Sequence, residues 1–525
     1  MPSSKRADRA LYDSLWKVSD RLRGSVDAAQ HKDFVLGLVF LKYVSDAFAE
    51  RRQAIRAELL ADGIPIERID AFLDDKDKYT GEGVFWVPGG ARWDELAVRA
   101  KSAGIGQLLD NAMDLIMKSN PSLTGVLPEI FNRAHVDQRR LGELVDLLSD
   151  ARFTGHEGTT ARDVLSEVYE YFLERFARAE GKRGGEFYTP ASVIRLLVEV
   201  LEPYKGRVYD PCCGSGGMFV QAEKFVLAHR GRRDDIAVYG QESNERTWRL
   251  ARMNLAIHGI DGDLSFRWED TFYADQHPDI KADYILANPP FNMSDWARKI
   301  DDPRWRYGIP PTGNSNFAWI QHVISKLSPR GSAAIIMANG SMSSKQSGEG
   351  DIRAAIVEAD LVACMIALPP QLFHATAIPT CAWFLAKDKS PQGALADRRG
   401  ETLFIDARSL GVLIHRGVRV LTADDLDRIT STYHAWRGTR NSTHPGLPYE
   451  DVPGFCRSSR LQEIREQDHV LTPGRYVGRP DDQETSVDEQ INQRISRLTG
   501  EFITLLDNAS HLECAIHDHI GKTGY

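Results

Sequence analysis

The chain has 525 residues, 42% hydrophobic and 26% charged, which supplies apolar surface for sizeable cores and excludes wholesale disorder. Its 65 Lys and Arg against 74 Asp and Glu leave a formal charge of -9, which excludes a basic coat for nucleic acid while leaving room for a local positive cleft. Six Cys without a Cys-x-x-Cys pair argue against a disulfide framework or a metal site, and the start MPSSKRADRALYDSLW has no signal-like apolar segment. With no run of about eighteen apolar residues, the sequence predicts no membrane insertion and a reduced, cytoplasmic setting.

In chain order, Leu11, Leu15 and Val18 share one side of a first helix, and the run FVLGLVFLKYVSDAF predicts a second, buried one. Gly81, Gly83, Gly89 and Gly90 around Phe85, Trp86 and Trp93 predict a loop or small packed insert. Helical spacing returns from Ile105 to Met117 and in LGELVDLL, so residues 1–165 read as a helical N-terminal domain. A helix from about Ala161 carries Leu165, Tyr169, Phe172 and Phe176 on one face and is expected to dock on the domain C-terminal to it. After a break at AEGKRGGEFYTP, Thr189 is the expected N-cap, with Pro190 at the first helical position of ASVIRLLVEVL.

The segments RVYD, IAVYGQE, LSFRWED, ADYILANPP, SAAIIMANG, LVACMIALP and CAWFLAK then alternate with helical stretches. That rhythm predicts an α/β fold, an open sheet with helices on both faces, assigned to residues 166–435. Strands around 403 to 420 either extend the sheet or lead out of it. Residues 436–525 read as a linker, loop-rich from about 440 to 485, and then a C-terminal helix. Ile491, Ile495, Leu498, Phe502 and Leu505 form an apolar stripe on that helix, suited to docking on this chain or on a partner helix.

The strand RVYD runs into Pro211, Cys212, Cys213, Gly214, Ser215, Gly216 and Gly217 and then into a helix. Small residues there let a ligand approach the backbone and present amides at a helix start, at the carboxyl end of a first strand. The next strand ends at Glu242, whose carboxylate can accept hydrogen bonds from two ribose hydroxyls. A third expected strand ends at Asp270, placed to accept from an adenine amino group beside apolar Phe272. GSGG lacks both the GxGxxG spacing and the GK[ST] ending, which disfavours hydride transfer and triphosphate hydrolysis.

The fourth strand ends at Asn288, Pro289, Pro290 and Phe291, and two prolines stop the ladder in a rigid turn. The Asn288 side-chain oxygen and the Pro289 carbonyl can each accept from an exocyclic amino group, drawing its lone pair out of conjugation so that it can attack an electrophilic methyl. Phe291 offers a face for a planar base that has left its stack. The adjacent thiols of Cys212 and Cys213 are poor nucleophile candidates, because direct transfer needs no covalent intermediate.

The ordered set GEFYTP at 185 to 190, DPCCGSGG at 210 to 217 and NPPF at 288 to 291 resembles the amino-methyltransferases that make N6-methyladenine in DNA. With its helical leader, length and terminal helix, the chain resembles the modification subunit of type I restriction-modification systems. NPPF alone is less specific, since related turns occur in enzymes that methylate glutamine or RNA.

The resemblance implies a Rossmann-like, S-adenosylmethionine-dependent methyltransferase core with a helical N-terminal domain and a C-terminal helical extension. It implies that Phe187, Tyr188, Thr189 and Pro190 flank the cofactor and that Asp210, Pro211, Gly214, Ser215, Gly216 and Gly217 contact the methyl donor. Glu242 would bind its ribose and Asp270 its adenine, while Asn288 to Phe291 would hold the target adenine. The implied partners are double-stranded DNA, a DNA specificity subunit, a second modification subunit and a separate ATP-using nuclease or translocase subunit.

Overall fold

The computed structural model describes residues 16, 28–133, 136–150, 161–180, 188–373, 378–393, 395–415, 417–439, 448–479 and 499. The stripe on the first expected helix, the stripe from Ile491 to Leu505, and Phe187 lie outside the described residues.

Apolar residues on every side of a helix demand partners on every side, and the helix Ala28–Ala61 has them: residues 34–45 are all buried. Around it pack Leu109, Met113 and Ile116 of the helix Ile105–Ser119 and Leu141, Leu144 and Leu148 of the helix Gln138–Asp150. Between residues 66 and 97 the expected small insert is built from three short helices, with Tyr79 stacked on Phe48 and Trp86 edge-to-face against both.

The helix Ala161–Glu180 buries Val168, Tyr169, Phe172 and Phe176 in this same helical core. It also meets the C-terminal part of the chain, because Leu250, Met253 and Ile257 of the helix Glu245–His258 complete the cluster. Tyr169 donates to the Leu250 carbonyl at 3.3 Å, and Lys224 pairs with Glu170 at 2.6 Å. Side chains before and after residue 165 thus share one core.

The α/β part begins with strands β1 Gly206–Asp210, β2 Ile236–Gly240, β3 Gly262–Asp263 and β4 Ala282–Ala287. It continues with β5 Leu327–Ala338, β6 Val362–Ala367, β7 Thr380–Ala386 and β8 Glu401–Asp406. β9 Val412–His415 and β10 Val418–Val420 form a separate hairpin, and β11 Cys456–Arg460 returns to the main sheet. The nine-stranded sheet has the order β11-β8-β6-β7-β5-β4-β1-β2-β3, with β7 antiparallel to both neighbours. Alternate residues of each strand face opposite layers. Val208 and Leu286 pack with the helices Ala191–Leu201 and Gly217–Ala228, while Tyr209 and Ile285 pack with Asn316–Lys326 and Glu349–Glu358.

The chain lays β2 and β3 on one side of β1, then β4 and β5 on the other, so the order reverses between β1 and β4. Connections diverge at such a point and open a crevice beyond the carboxyl ends of the strands.

Three sequence expectations are corrected. LSFRWED is not a strand: β3 stops at Asp263, whose side chain accepts from the Ser265 amide at 2.9 Å, and Ser265 turns to φ +63°. The stretch expected as loops holds β11, which pairs with β8 from Cys456↔Ile405 to Arg460↔Glu401, and then the helix Leu461–Glu466. The sheet therefore continues beyond residue 435. Finally, Thr189 is not a helix cap, since the helix begins at Ala191 with Pro190 at the N-cap and no side-chain bond there.

Candidate active site

β1 delivers Asp210 to the crevice, and the turn after it folds back over the carboxylate. The Asp210 carboxylate accepts from the Cys212 amide at 3.0 Å, while its own carbonyl accepts from the Gln241 amide. Gly214 and Gly216 have φ of +54° and +79°, conformations that a side chain makes costly. The Gly214 amide donates to Glu242 Oε2 at 3.1 Å, and Glu242 Oε1 accepts from the Asn244 amide at 2.8 Å. Turn and carboxylate are thus one assembly.

Asp270 reaches the same crevice without a strand to carry it. Buried Gln241 donates to the carbonyls of Glu269 and Ala274, at 3.0 and 2.9 Å, and accepts from the Gln276 amide. Thr271 Oγ1 donates to the Pro211 carbonyl at 2.6 Å, tying this loop to the Gly-rich turn. Asp270 Oδ1 accepts from the amides of Phe272 and Tyr273, both at 2.8 Å.

On the far side, Asn288 leaves β4 half-buried. Its Nδ2 donates to Thr189 Oγ1 at 2.8 Å, so the FYTP and NPPF segments, 99 residues apart, are bonded directly. Its Oδ1 is buried without a hydrogen-bond partner. A carboxamide oxygen left in that state is costly unless something else supplies the donor. After the prolines, Asn292 and Asn316 exchange hydrogen bonds at 3.0 and 2.8 Å, clamping the turn to the helix that carries Trp319.

A cavity of about 330 Å³ joins these parts. Of the expected residues, Tyr188, Pro211, Gly214, Ser215, Glu242, Asp270, Asn288 and Pro290 line it. Asp210 lies beneath the turn, 2% exposed, and Gly216 and Gly217 begin the next helix. Phe291 is not on the wall: its ring packs edge-to-face on Phe373, centroids 6.3 Å apart. Thr189, Pro190 and Pro289 are also off the wall.

The wall includes residues that sequence reasoning missed. Lys32, Leu173 and Phe176 come from the N-terminal helical core, for which no motif spacing gives a signal. Trp319, 4% exposed, lies against Phe272 with ring centroids 4.4 Å apart, and its indole N–H is buried without a partner. Its position in NFAWIQHVISKL reads as ordinary helix core.

Burial dominates the electrostatics. It pushes the Asp210 carboxyl up to about 7, with the Cys212 amide working against the shift and Glu242 adding to it. Burial likewise raises Glu242. The Cys212 and Cys213 thiols are pushed well above their ordinary value, by burial first and then by Asp210 and Glu242, so neither is a ready thiolate nucleophile.

Residues 160–485 match the family N-6 DNA Methylase, and residues 11–148 match the HsdM N-terminal domain. The chain belongs to the N-6 DNA methylase family. Within it, the chain is a modification subunit of the type I restriction-modification kind. It is 47% identical over 461 residues to the type I restriction enzyme HindI methylase subunit of Haemophilus influenzae, covering 84% of this chain and 100% of the relative. The MjaIX methylase subunit of Methanocaldococcus jannaschii is 37% identical over 480 residues, covering 89% and 83%. A crystal structure of a type I restriction-modification methyltransferase subunit from Streptococcus thermophilus superposes with a TM-score of 0.72 at 25% identity, covering 90% of this chain and 99% of that one.

The fold of this methyltransferase family implies S-adenosylmethionine as cofactor, and the donor set fits it. The cavity offers carboxylate acceptors on Glu242 and Asp270 for hydroxyl and amino groups, and an aromatic wall at Trp319 for a planar base. Two buried polar atoms on its wall residues, Asn288 Oδ1 and Trp319 Nε1, have no partner among the described residues.

Proposed function

We propose that this methyltransferase transfers the methyl group of S-adenosylmethionine to N6 of adenine within a specific sequence of double-stranded DNA, the activity classed as EC 2.1.1.72. The observation that carries this reading is the Asn288 carboxamide: one end is fixed by Thr189 and the other presents a buried, unpaired acceptor at the crevice.

S-adenosylmethionine supplies an electrophilic methyl on a sulfonium. The remaining work belongs to this chain. Glu242 accepts from the ribose hydroxyls and Asp270 from the cofactor amino group, while the turn from Asp210 to Gly217 shapes the floor beneath them. Asn288 Oδ1 accepts from the target amino group, localising the nitrogen lone pair for in-line attack, while Pro289, off the wall, stiffens the turn that carries it. Transfer then rests on alignment and fixed dipoles, with no covalent protein intermediate. Phe291 acts from behind the turn, through its packing on Phe373.

The formal charge of -9 makes strong autonomous duplex binding unfavourable. We therefore assign sequence choice to a specificity subunit holding two modification subunits, with cleavage left to a separate ATP-using subunit. Among the described residues no helix is long and apolar enough to cross a membrane. Tritium transfer by the assembled complex tests the substrate class. Label in unmethylated duplex DNA, and none in RNA or protein, is expected; label in protein or RNA instead would overturn the reading.

A further inference from the structure

The β9–β10 hairpin belongs to neither layer of the fold. Among the described residues its strands pair only with each other, outside the nine-stranded sheet. Val412, Leu413 and Ile414 are 51%, 59% and 42% exposed. Successive residues of a strand point to opposite sides, so both faces of β9 stand in water. A solvated finger with three consecutive exposed apolar side chains is a surface waiting for an occupant.

The root of the finger is tied to the catalytic turn. The Arg419 amide donates to the Gln371 carbonyl at 2.8 Å, and its guanidinium donates to the carbonyls of Leu410 and Gly411 at 3.0 and 2.8 Å. Gln371 holds φ +66°, and two residues later Phe373 packs on Phe291 of the NPPF turn. The segment VLIHRGVRV contains two arginines, a histidine and no acidic residue, in a chain whose total charge is -9.

We propose that this hairpin is a DNA wedge, in which Leu413 and its apolar neighbours enter the duplex beside the target pair and support the gap left when adenine swings into the cavity. The inference rests on adenine methylation as the activity and adds the element that opens the duplex. Apolar side chains driven between base steps unstack them, and a segment without acidic residues avoids repelling the phosphates alongside. The finger follows β8 and is bonded through Arg419 to Gln371, in the segment whose Phe373 packs on Phe291, which puts a wedge beside the turn that would hold the extruded base.

The test compares wild type with a Leu413→Ser, Ile414→Ser double variant, each assembled with the specificity subunit. Both side chains are exposed, so thermal melting and cofactor affinity are expected to be unchanged. Extrusion is read on a duplex carrying the mapped site with 2-aminopurine at the target position, and methylation on the same duplex with adenine there. The wedge predicts about tenfold weaker extrusion and methylation in the variant. It also predicts recovery on a duplex with a mismatch opposite the target, where unpairing is already eased. Unchanged extrusion, a loss that the mismatch does not restore, or failure of the variant to assemble with the specificity subunit would each overturn the wedge. The last of these would assign the finger to a protein partner. No methylation of any duplex by the wild-type complex would overturn the activity reading, and the wedge with it.

Discussion

Replacing Asn288 with alanine separates what this side chain does for the fold from what it does for turnover. In the free protein its Nδ2 bond to Thr189 Oγ1, at 2.8 Å, contributes about 1 kcal/mol. Its buried, unpaired Oδ1 costs about 1–3 kcal/mol. Alanine removes both, and the half-buried position leaves little cavity, so the variant should be between equally stable and about 2 kcal/mol more stable. Turnover should move the other way. Losing one fixed group aimed at the reacting centre costs about 10²–10³ in rate, or about 2.7–4 kcal/mol. Urea unfolding gives the stability, single-turnover tritium transfer the rate and calorimetry the cofactor affinity, which should stay within about threefold. A variant destabilised by more than about 1 kcal/mol, or one that retains near-normal transfer, would refute the reasoning.

Other perturbations probe the same geometry. Burial lifts the folded pKa of Asp210 from 3.8 to about 7, so the folded state favours the protonated form and this contribution to stability is lost as pH rises from about 4 to 7. Asp210→Asn abolishes that loss, so its stability advantage in unfolding curves should grow across the window to at most roughly 4 kcal/mol and then level off; parallel curves would contradict the assignment. Trp319→Phe keeps an aromatic ring near Phe272 but removes the unpaired N–H together with one ring of an indole that is 4% exposed. Stability should fall by about 1–3 kcal/mol and cofactor affinity by about five- to tenfold by calorimetry; unchanged affinity would show that the bound cofactor does not use that donor. Cys212→Ala should leave cofactor affinity unchanged, because the Asp210 contact uses a backbone amide that alanine retains. A clear change in affinity would show that the thiol itself shapes the site.

The parts of the site written in short contiguous segments are the legible ones. A strand that ends in small residues or in two prolines announces itself locally, and so β1 with its turn, β2 with Glu242 and β4 with Asn288 fall where the residues indicate. Asp270 reaches the site although the strand expected to carry it does not exist. Its position depends on Gln241 reaching across to residues 269–276, a tertiary contact that no periodicity reveals. β11 escapes sequence reading because Cys456-Arg-Ser-Ser-Arg460 has the charged, weakly apolar composition of an edge strand and is specified by backbone pairing to β8. The Lys32, Leu173 and Phe176 wall is contributed by a helical core far upstream of the motifs. Thr189 has the place before Pro190 that suits a helix cap, whereas its hydroxyl is taken by Asn288.

The central claim is that the Asn288 acceptor directs methyl transfer to adenine N6 in DNA, within a complex that chooses the sequence. Co-expressing the chain with a candidate specificity subunit and mapping N6-methyladenine in the host DNA, with Asn288→Ala as the matched control, tests it most directly. Methylation at one recurring sequence that disappears in the control is the expected result. A stable complex that binds S-adenosylmethionine yet leaves the DNA unmethylated, or a methylation pattern that survives Asn288→Ala, would contradict it.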